Sequence, residues 1–270
     1  MNVFDLGFGP LDQQLWQLLF LSTRVGAALL AAPMVGVLAV PPTLRALLAL
    51  AFAVFVAIWV PPVQTPDMMS FEAVLALVQE VAIGAALGII LQLAFAVPLI
   101  AAEQISGTMG LAIATSIDPA SGAQSGALGT YFGLILTLLF YAIGGHLLWF
   151  ELLLESYRIL PAGSFVFSPQ AGQAIVLFMG YGLATAAAIS LPVVLVLLLV
   201  QLVTGVIARA APALNLFALG LPAGTLAGIT ALIICLPILM EQFVSLLEVT
   251  LDQAGELIEA SQANTPGAAL

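Results

Sequence analysis

The chain is 270 residues long, 63% hydrophobic and only 7% charged, where an ordinary soluble domain carries roughly 25% charged residues. Too few polar side chains exist to cover a globule of this length, so most of the surface must face lipid or equally apolar protein. The net charge of −10, with four arginines and no lysine, disfavours nucleic acid and anionic lipid headgroups as partners.

Windows of about 19 residues predict apolar segments over 15–40, 44–60, 71–102, 127–150, 171–203 and 214–244. The expected fold is therefore all-α, a polytopic membrane protein of six hydrophobic segments. The first residues carry Asp5 and Asp12 and no basic stretch, so insertion is expected to rely on the spans themselves. Residues 1–260 read as a single membrane domain and 261–270 as a flexible tail.

About 20 helical residues cross roughly 30 Å of hydrocarbon, and the third, fifth and sixth segments exceed that. Pro33, Pro98, Pro192 and Pro237 lie inside apolar stretches, where proline removes a helix hydrogen bond and clashes with the preceding turn. Kinked, re-entrant hairpins are the expectation. Pro41-Pro42, Pro61-Pro62 and the stretch from Pro161 to Pro169 mark short connections. The four arginines do not fix an orientation, because Arg45 and Arg209 would lie opposite Arg158 under simple alternation.

Residues 104–126 differ from the other connections. This stretch has no clear period, contains Gly107, Gly110, Gly122 and Gly126, and keeps Ile105, Met109, Leu111, Ile113 and Ile117. Structureless loops longer than about 12 to 15 residues inside a compact domain are usually functional or disordered, and this one is too apolar for a solvated linker. An ordered, glycine-hinged insertion is expected.

Catalytic, cofactor and metal sites are not expected. The absence of lysine excludes a phosphate-binding P-loop or a Schiff base, and one cysteine, Cys235, with one histidine, His146, cannot make a zinc cluster in this chain alone. His146, close to Trp149, reads as a satisfied histidine at the membrane interface. Arg24, Glu80 and Glu103 are ionisable groups in or at the ends of spans, where charge costs roughly 2.5 to 3.5 kcal/mol on insertion scales. For Arg24 the simple reading is a side chain that snorkels along its own helix. Glu103 and Gln104 are either a polar boundary at the lipid interface or a polar collar around a pore.

Glycines spaced by four recur as Gly84 and Gly88, Gly129 and Gly133, and Gly220, Gly224 and Gly228. Such faces let helix backbones approach closely in lipid. Near the end, Leu247, Leu251, Ala254 and Ile258 share one helical face, with Glu248, Asp252, Glu256 and Glu259 on the adjacent one. This amphipathic acidic helix is either a solvated end or a surface that docks a partner.

Three blocks stand out: Arg24-Val25-Gly26 with Ala32-Pro33 and Val40-Pro41; Glu103-Gln104-Ile105-Ser106-Gly107 running to Asp118-Pro119; and Leu214-Asn215-Leu216-Phe217-Ala218-Leu219-Gly220-Leu221-Pro222. Together they resemble the FliR family, the flagellar export subunits called SctT in injectisomes. The resemblance spans nearly the whole chain. It implies a noncatalytic subunit of a heteromeric helical export gate in the bacterial inner membrane, within the flagellar basal body. Its implied neighbours are FliP-like and FliQ-like subunits, with FlhB-like and FlhA-like components and unfolded export substrates.

By the same resemblance the glycine-rich loop plugs the closed gate. Gly107, Met109, Gly110, Ile113, Asp118, Pro119 and Gly122 would then carry gating, Glu103 and Gln104 the loop entrance, and Asn215, Phe217, Gly220, Pro222, Gly224 and Gly228 the packing between subunits. A secondary transporter for a small solute is the alternative, but it calls for paired pseudo-symmetric halves, and the glycine-rich loop and the Asn215 block have no counterparts. A purely structural scaffold is a third reading, under which the loop would tolerate substitution.

Overall fold

The computed structural model describes residues 11–33, 40–59, 66–67, 69–110, 126–163, 169–210 and 216–262. Among the described residues the regular structure is helical: α1 (Leu11–Ala31), α2 (Pro42–Trp59), α3 (Phe71–Met109), α4 (Ala127–Ala142), α5 (Gly145–Ile159), α6 (Pro169–Ala210) and α7 (Leu216–Gln262). Each of the six apolar segments carries helix. By length and apolarity, however, four helices among the described residues qualify as membrane spans, or five if α4 and α5 are counted as one broken span. The count falls short of six because α1, which carries Asp12, three glutamines and Arg24, is not apolar enough.

The long segments became long helices. At about 1.5 Å per residue, α3, α6 and α7 measure roughly 58, 63 and 70 Å, each well beyond a perpendicular crossing. The prolines do not break them: α3 continues through Pro98, α6 through Pro192, and α7 through Pro222 and Pro237. The break comes instead at Ile143-Gly144, between α4 and α5, where Gly144 adopts φ +72°. A left-handed residue redirects the chain at once, whereas a proline in lipid loses one hydrogen bond that neighbouring groups can replace.

The chain divides into two compact units, Met1–Leu93 with Gly144–Phe178 and Val249–Leu270, and Ala94–Ile143 with Met179–Glu248. In the first, Phe20, Leu21, Val25, Ala28 and Leu29 of α1 are buried together with Leu87, Ile90 and Leu91 of α3 and Trp149, Leu153 and Tyr157 of α5. The four-residue glycine spacing of α3 has its cause here. A β-carbon at Gly84 would overlap the carbonyl of Arg24, and one at Gly88 would come within 2.7 Å of the Ala28 carbonyl oxygen, so α1 and α3 touch backbone to backbone. α2 buries only Ala49, Ala53 and Val56, while Phe52 stacks on Phe150 at 4.8 Å between ring centroids. Its remaining large apolar side chains, Leu44, Leu47, Phe55, Ile58 and Trp59 among them, are exposed as expected of a lipid-facing or subunit-facing helix.

In the second unit, Phe132, Leu136 and Phe140 form the buried stripe of α4. Phe140 meets Phe95 of α3 edge to face at 5.6 Å, and Phe132 meets Phe243 of α7 at 5.5 Å. This geometry is favoured by the ring quadrupoles. Ile189, Val193 and Leu197 give α6 its buried stripe at four-residue spacing.

Candidate functional site

Two polar constellations stand out against this apolar background, one in each unit. In the second unit the site is the C-terminal end of α3. Residues 104–109, expected as loop, are helical. The helix runs on because Ile105 and Met109, one turn apart, are both buried and hold the last turn in place. Gly107 sits in open space, with nothing within 4 Å of where a β-carbon would stand. The helix stops at Gly110, whose φ of +81° and N–H donation to the Gly107 carbonyl at 3.2 Å end the last turn in a left-handed cap.

Three hydrogen bonds tie down this end. The Ser190 hydroxyl of α6 donates to the Gln104 side-chain oxygen at 2.5 Å. The Gln201 amide, also on α6, donates to the Thr108 carbonyl at 2.8 Å, satisfying one of the acceptors that every helix end leaves open. The Glu103 carboxylate accepts from the backbone N–H of Gly126 at 3.3 Å. Residues 103 and 126 bracket the glycine-rich segment, so Glu103 joins its two ends. To the two readings of Glu103 and Gln104, both exposed, the geometry adds contacts within the chain: Glu103 reaches Gly126, and Gln104 is held by Ser190.

Met109 turns toward α7. A β-carbon at Gly228 would come within 2.6 to 2.8 Å of its Cγ, Cε and Sδ atoms, and one at Gly224 within 3.3 Å of its carbonyl oxygen. The partner found for these two glycines is thus a residue of the same chain. Gly220 is partly exposed and Pro222 exposed, while Asn215 and the side chain of Phe217 lie outside the described residues, as do Ile113, Asp118, Pro119 and Gly122.

In the first unit the constellation is Arg24 with Glu80. Arg24 does not snorkel. Its side chain is fully buried, donating from Nε to Glu80 Oε2 at 2.8 Å and from Nη2 to Glu80 Oε1 at 3.0 Å. Nη1 donates to the carbonyl and hydroxyl oxygens of Ser156, and Nη2 also to the Leu160 carbonyl at 2.9 Å. All five guanidinium N–H donors are used. Tyr157 lies under the cation, 4.2 Å from ring centroid to Cζ, and its hydroxyl donates to the Leu21 carbonyl at 2.6 Å. Glu80 accepts a further bond from the Gly163 N–H at 3.3 Å. A charge at this depth survives because it is paired and every donor is met, which a helix-by-helix reading of the sequence could not supply. The i to i+56 separation of Arg24 and Glu80 leaves no local signal.

Trp149 is buried within the chain, and its indole N–H donates to the Leu87 carbonyl at 3.4 Å. The amphipathic reading of the chain's last helical stretch agrees with the structure: Leu247, Leu251, Ala254 and Ile258 are buried, and Glu248, Asp252, Glu256 and Glu259 exposed. Gly255 sits against Leu152 of α5, 3.6 Å from where a β-carbon would be.

A family model described as bacterial export proteins, family 1, matches residues 15–250. The flagellar biosynthetic protein FliR of Escherichia coli K12 is 31% identical over 85% of this chain and 86% of its own length. FliR of Pectobacterium carotovorum is 33% identical over 66% and 68% respectively. The surface presentation of antigens protein SpaR of Shigella flexneri is 31% identical over 58% of this chain and 60% of its own.

Proposed function

The chain belongs to the bacterial export proteins, family 1, together with its FliR relatives, and from that premise we infer that it is a subunit of the flagellar type III protein export gate. It is a multi-pass membrane protein that helps form the conduit through which unfolded flagellar proteins leave during flagellum assembly. The observation that carries this reading is the family match, which runs through every helix from α1 to α7.

The finer assignments are proposals. The subunit works without catalysis of its own, in the bacterial inner membrane within the flagellar basal body, beside FliP-like and FliQ-like subunits and with FlhB-like and FlhA-like components. The part of residues 104–126 that follows the end of α3 forms the plug of the closed gate, and the block from Asn215 to Pro222 packs against a neighbouring subunit. Support for the plug comes from the way α3 ends: the loop departs from a left-handed glycine, and Glu103 clasps its two ends together. The large apolar side chains left exposed along α2, α6 and α7 offer a surface on which lipid or a neighbouring subunit can pack.

A small-solute transporter is not favoured. Such proteins are built from paired pseudo-symmetric halves, whereas the glycine-rich segment and the Asn215 block have no counterparts in this chain and the donors of Arg24 are all spent inside it. The deciding experiment is gentle detergent extraction of the tagged chain from its native membrane, followed by native mass and identification of co-purifying proteins. A heteromeric complex with FliP-like and FliQ-like subunits is the expected result. A homo-oligomer free of other subunits would overturn the gate assignment.

A further inference from the structure

We propose that Met109 is a positioning residue, a lock that seats the last turn of α3 in a hollow formed by Gly224 and Gly228 of α7 and so sets where, and in which direction, the following loop leaves the helix. This rests on the reading of that loop as a plug. It assigns Met109 to the foundation of the plug and not to its sealing surface.

Gln104 and Thr108 are four apart and lie on one side of α3, where α6 holds them through Ser190 and Gln201. Ile105 and Met109 are also four apart, on the adjacent side, and both are buried. Two different helices thus hold two neighbouring faces of one turn, which fixes both its height and its rotation. The polar contacts alone would be weak holders, since Gln104 and Gln201 are exposed and a hydrogen bond exchangeable with water contributes little net stability.

Met109 supplies what they lack. It is 4% exposed although Gly107 and Gln104 beside it are open. Its unbranched thioether can follow an irregular hollow, and the hollow exists only because positions 224 and 228 carry no β-carbon. At Gly228 three Met109 side-chain atoms already occupy the space that a β-carbon would need. The residue immediately after Met109 is Gly110, whose left-handed backbone turns the chain away from the helix axis. One helical residue corresponds to about 100° of rotation, so a last turn that slips from its seat would aim the exit of the chain at a different quarter of its surroundings.

The test uses the full chain assembled in its native membrane, with Cys235→Ser to remove the native thiol and Thr108→Cys as a reporter whose backbone carbonyl still accepts from Gln201. Alkylation of that thiol is timed in Gly228→Ala and Gly228→Val, each with and without Met109→Ala, while small-solute leakage is measured in the same cells. Overpacking at a close contact shifts a local opening equilibrium by roughly five- to thirtyfold, and the alkylation rate should rise by that order in the glycine variants. Met109→Ala in the same chain should reverse most of the rise, because a smaller residue at 109 makes room for the new side chain; Met109→Ala alone should give a smaller increase. Unchanged labelling in both glycine variants, or a rise that Met109→Ala does not relieve, would overturn the lock. If the valine variants do not accumulate, the alanine pair makes the same comparison. Altered and Met109-reversible labelling with no change in leakage would leave the lock standing and remove the plug reading beneath it.

Discussion

Arg24 and Glu80, fifty-six residues apart, face each other in a two-point ion pair with no exposed side-chain surface, Nε to Oε2 at 2.8 Å and Nη2 to Oε1 at 3.0 Å. Removing one partner would leave the other charged, buried and alone, a situation that typically costs about 3 to 5 kcal/mol. Arg24→Ala and Glu80→Ala are each expected to lower the thermal midpoint of the detergent-solubilised chain sharply or to prevent its accumulation. The double variant Arg24→Met with Glu80→Leu should be less destabilised than either single one, because it buries no orphan charge. Equal loss in all three would show that the pair is not what holds α1 to α3.

Two glycines of α3 should behave oppositely. Gly84→Ala drives a β-carbon into the carbonyl of Arg24, and overpacking against backbone that cannot swing aside costs about 1 to 3 kcal/mol or more. Gly107→Ala meets nothing within 4 Å and should hold or raise stability by up to about 1 kcal/mol through helix propensity. If Gly107 is a hinge, the stabilised chain should export more slowly. Thermal midpoints together with secretion rates separate the two, and unchanged secretion in Gly107→Ala would remove that hinge.

Gly110 holds φ +81°, a conformation that costs an ordinary residue roughly 1 to 2 kcal/mol. Gly110→Leu is expected to disturb seating of the plug and let small solutes leak, while Gly110→Asn, which tolerates the left-handed region better, should do so less. Solute uptake and secretion in whole cells give the answer; a leucine variant that alters neither would count against the plug.

The acidic face of the last helical stretch is a candidate docking surface. Glu248→Gln, Asp252→Asn, Glu256→Gln and Glu259→Gln lie at exposed positions, and each should change stability by no more than about 0.5 kcal/mol. Combined, they should leave the thermal midpoint near its starting value while reducing recovery of partner subunits after extraction. Ile258→Asp, on the buried face, should by contrast destabilise the chain itself, since it places a charge where no partner waits. Full recovery of partners with the neutralised face would assign those carboxylates to solvation alone.

Much of this was readable in the residues. Apolar composition together with continuous apolar runs long enough to cross a bilayer pointed to helices, because exposed backbone in lipid must be satisfied within its own segment. Period and spacing located the helices, the amphipathic acidic end and the glycine faces. The three blocks around Arg24, Glu103 and Asn215 carried the family, and the match over residues 15–250 agrees with it.

What the tertiary structure decided were the pairings. Arg24 meets Glu80, Trp149 is buried beneath Leu87, Met109 fills the space left by Gly228, and Glu103 reaches across to Gly126. None of these could be seen in a linear pattern, because periodicity reports which face a residue occupies and not what stands opposite. The same limit explains the prolines: sequence marks where a helix has lost one hydrogen bond, but only the surrounding packing determines whether the helix ends there, and α3, α6 and α7 run on through theirs while the chain breaks at Gly144.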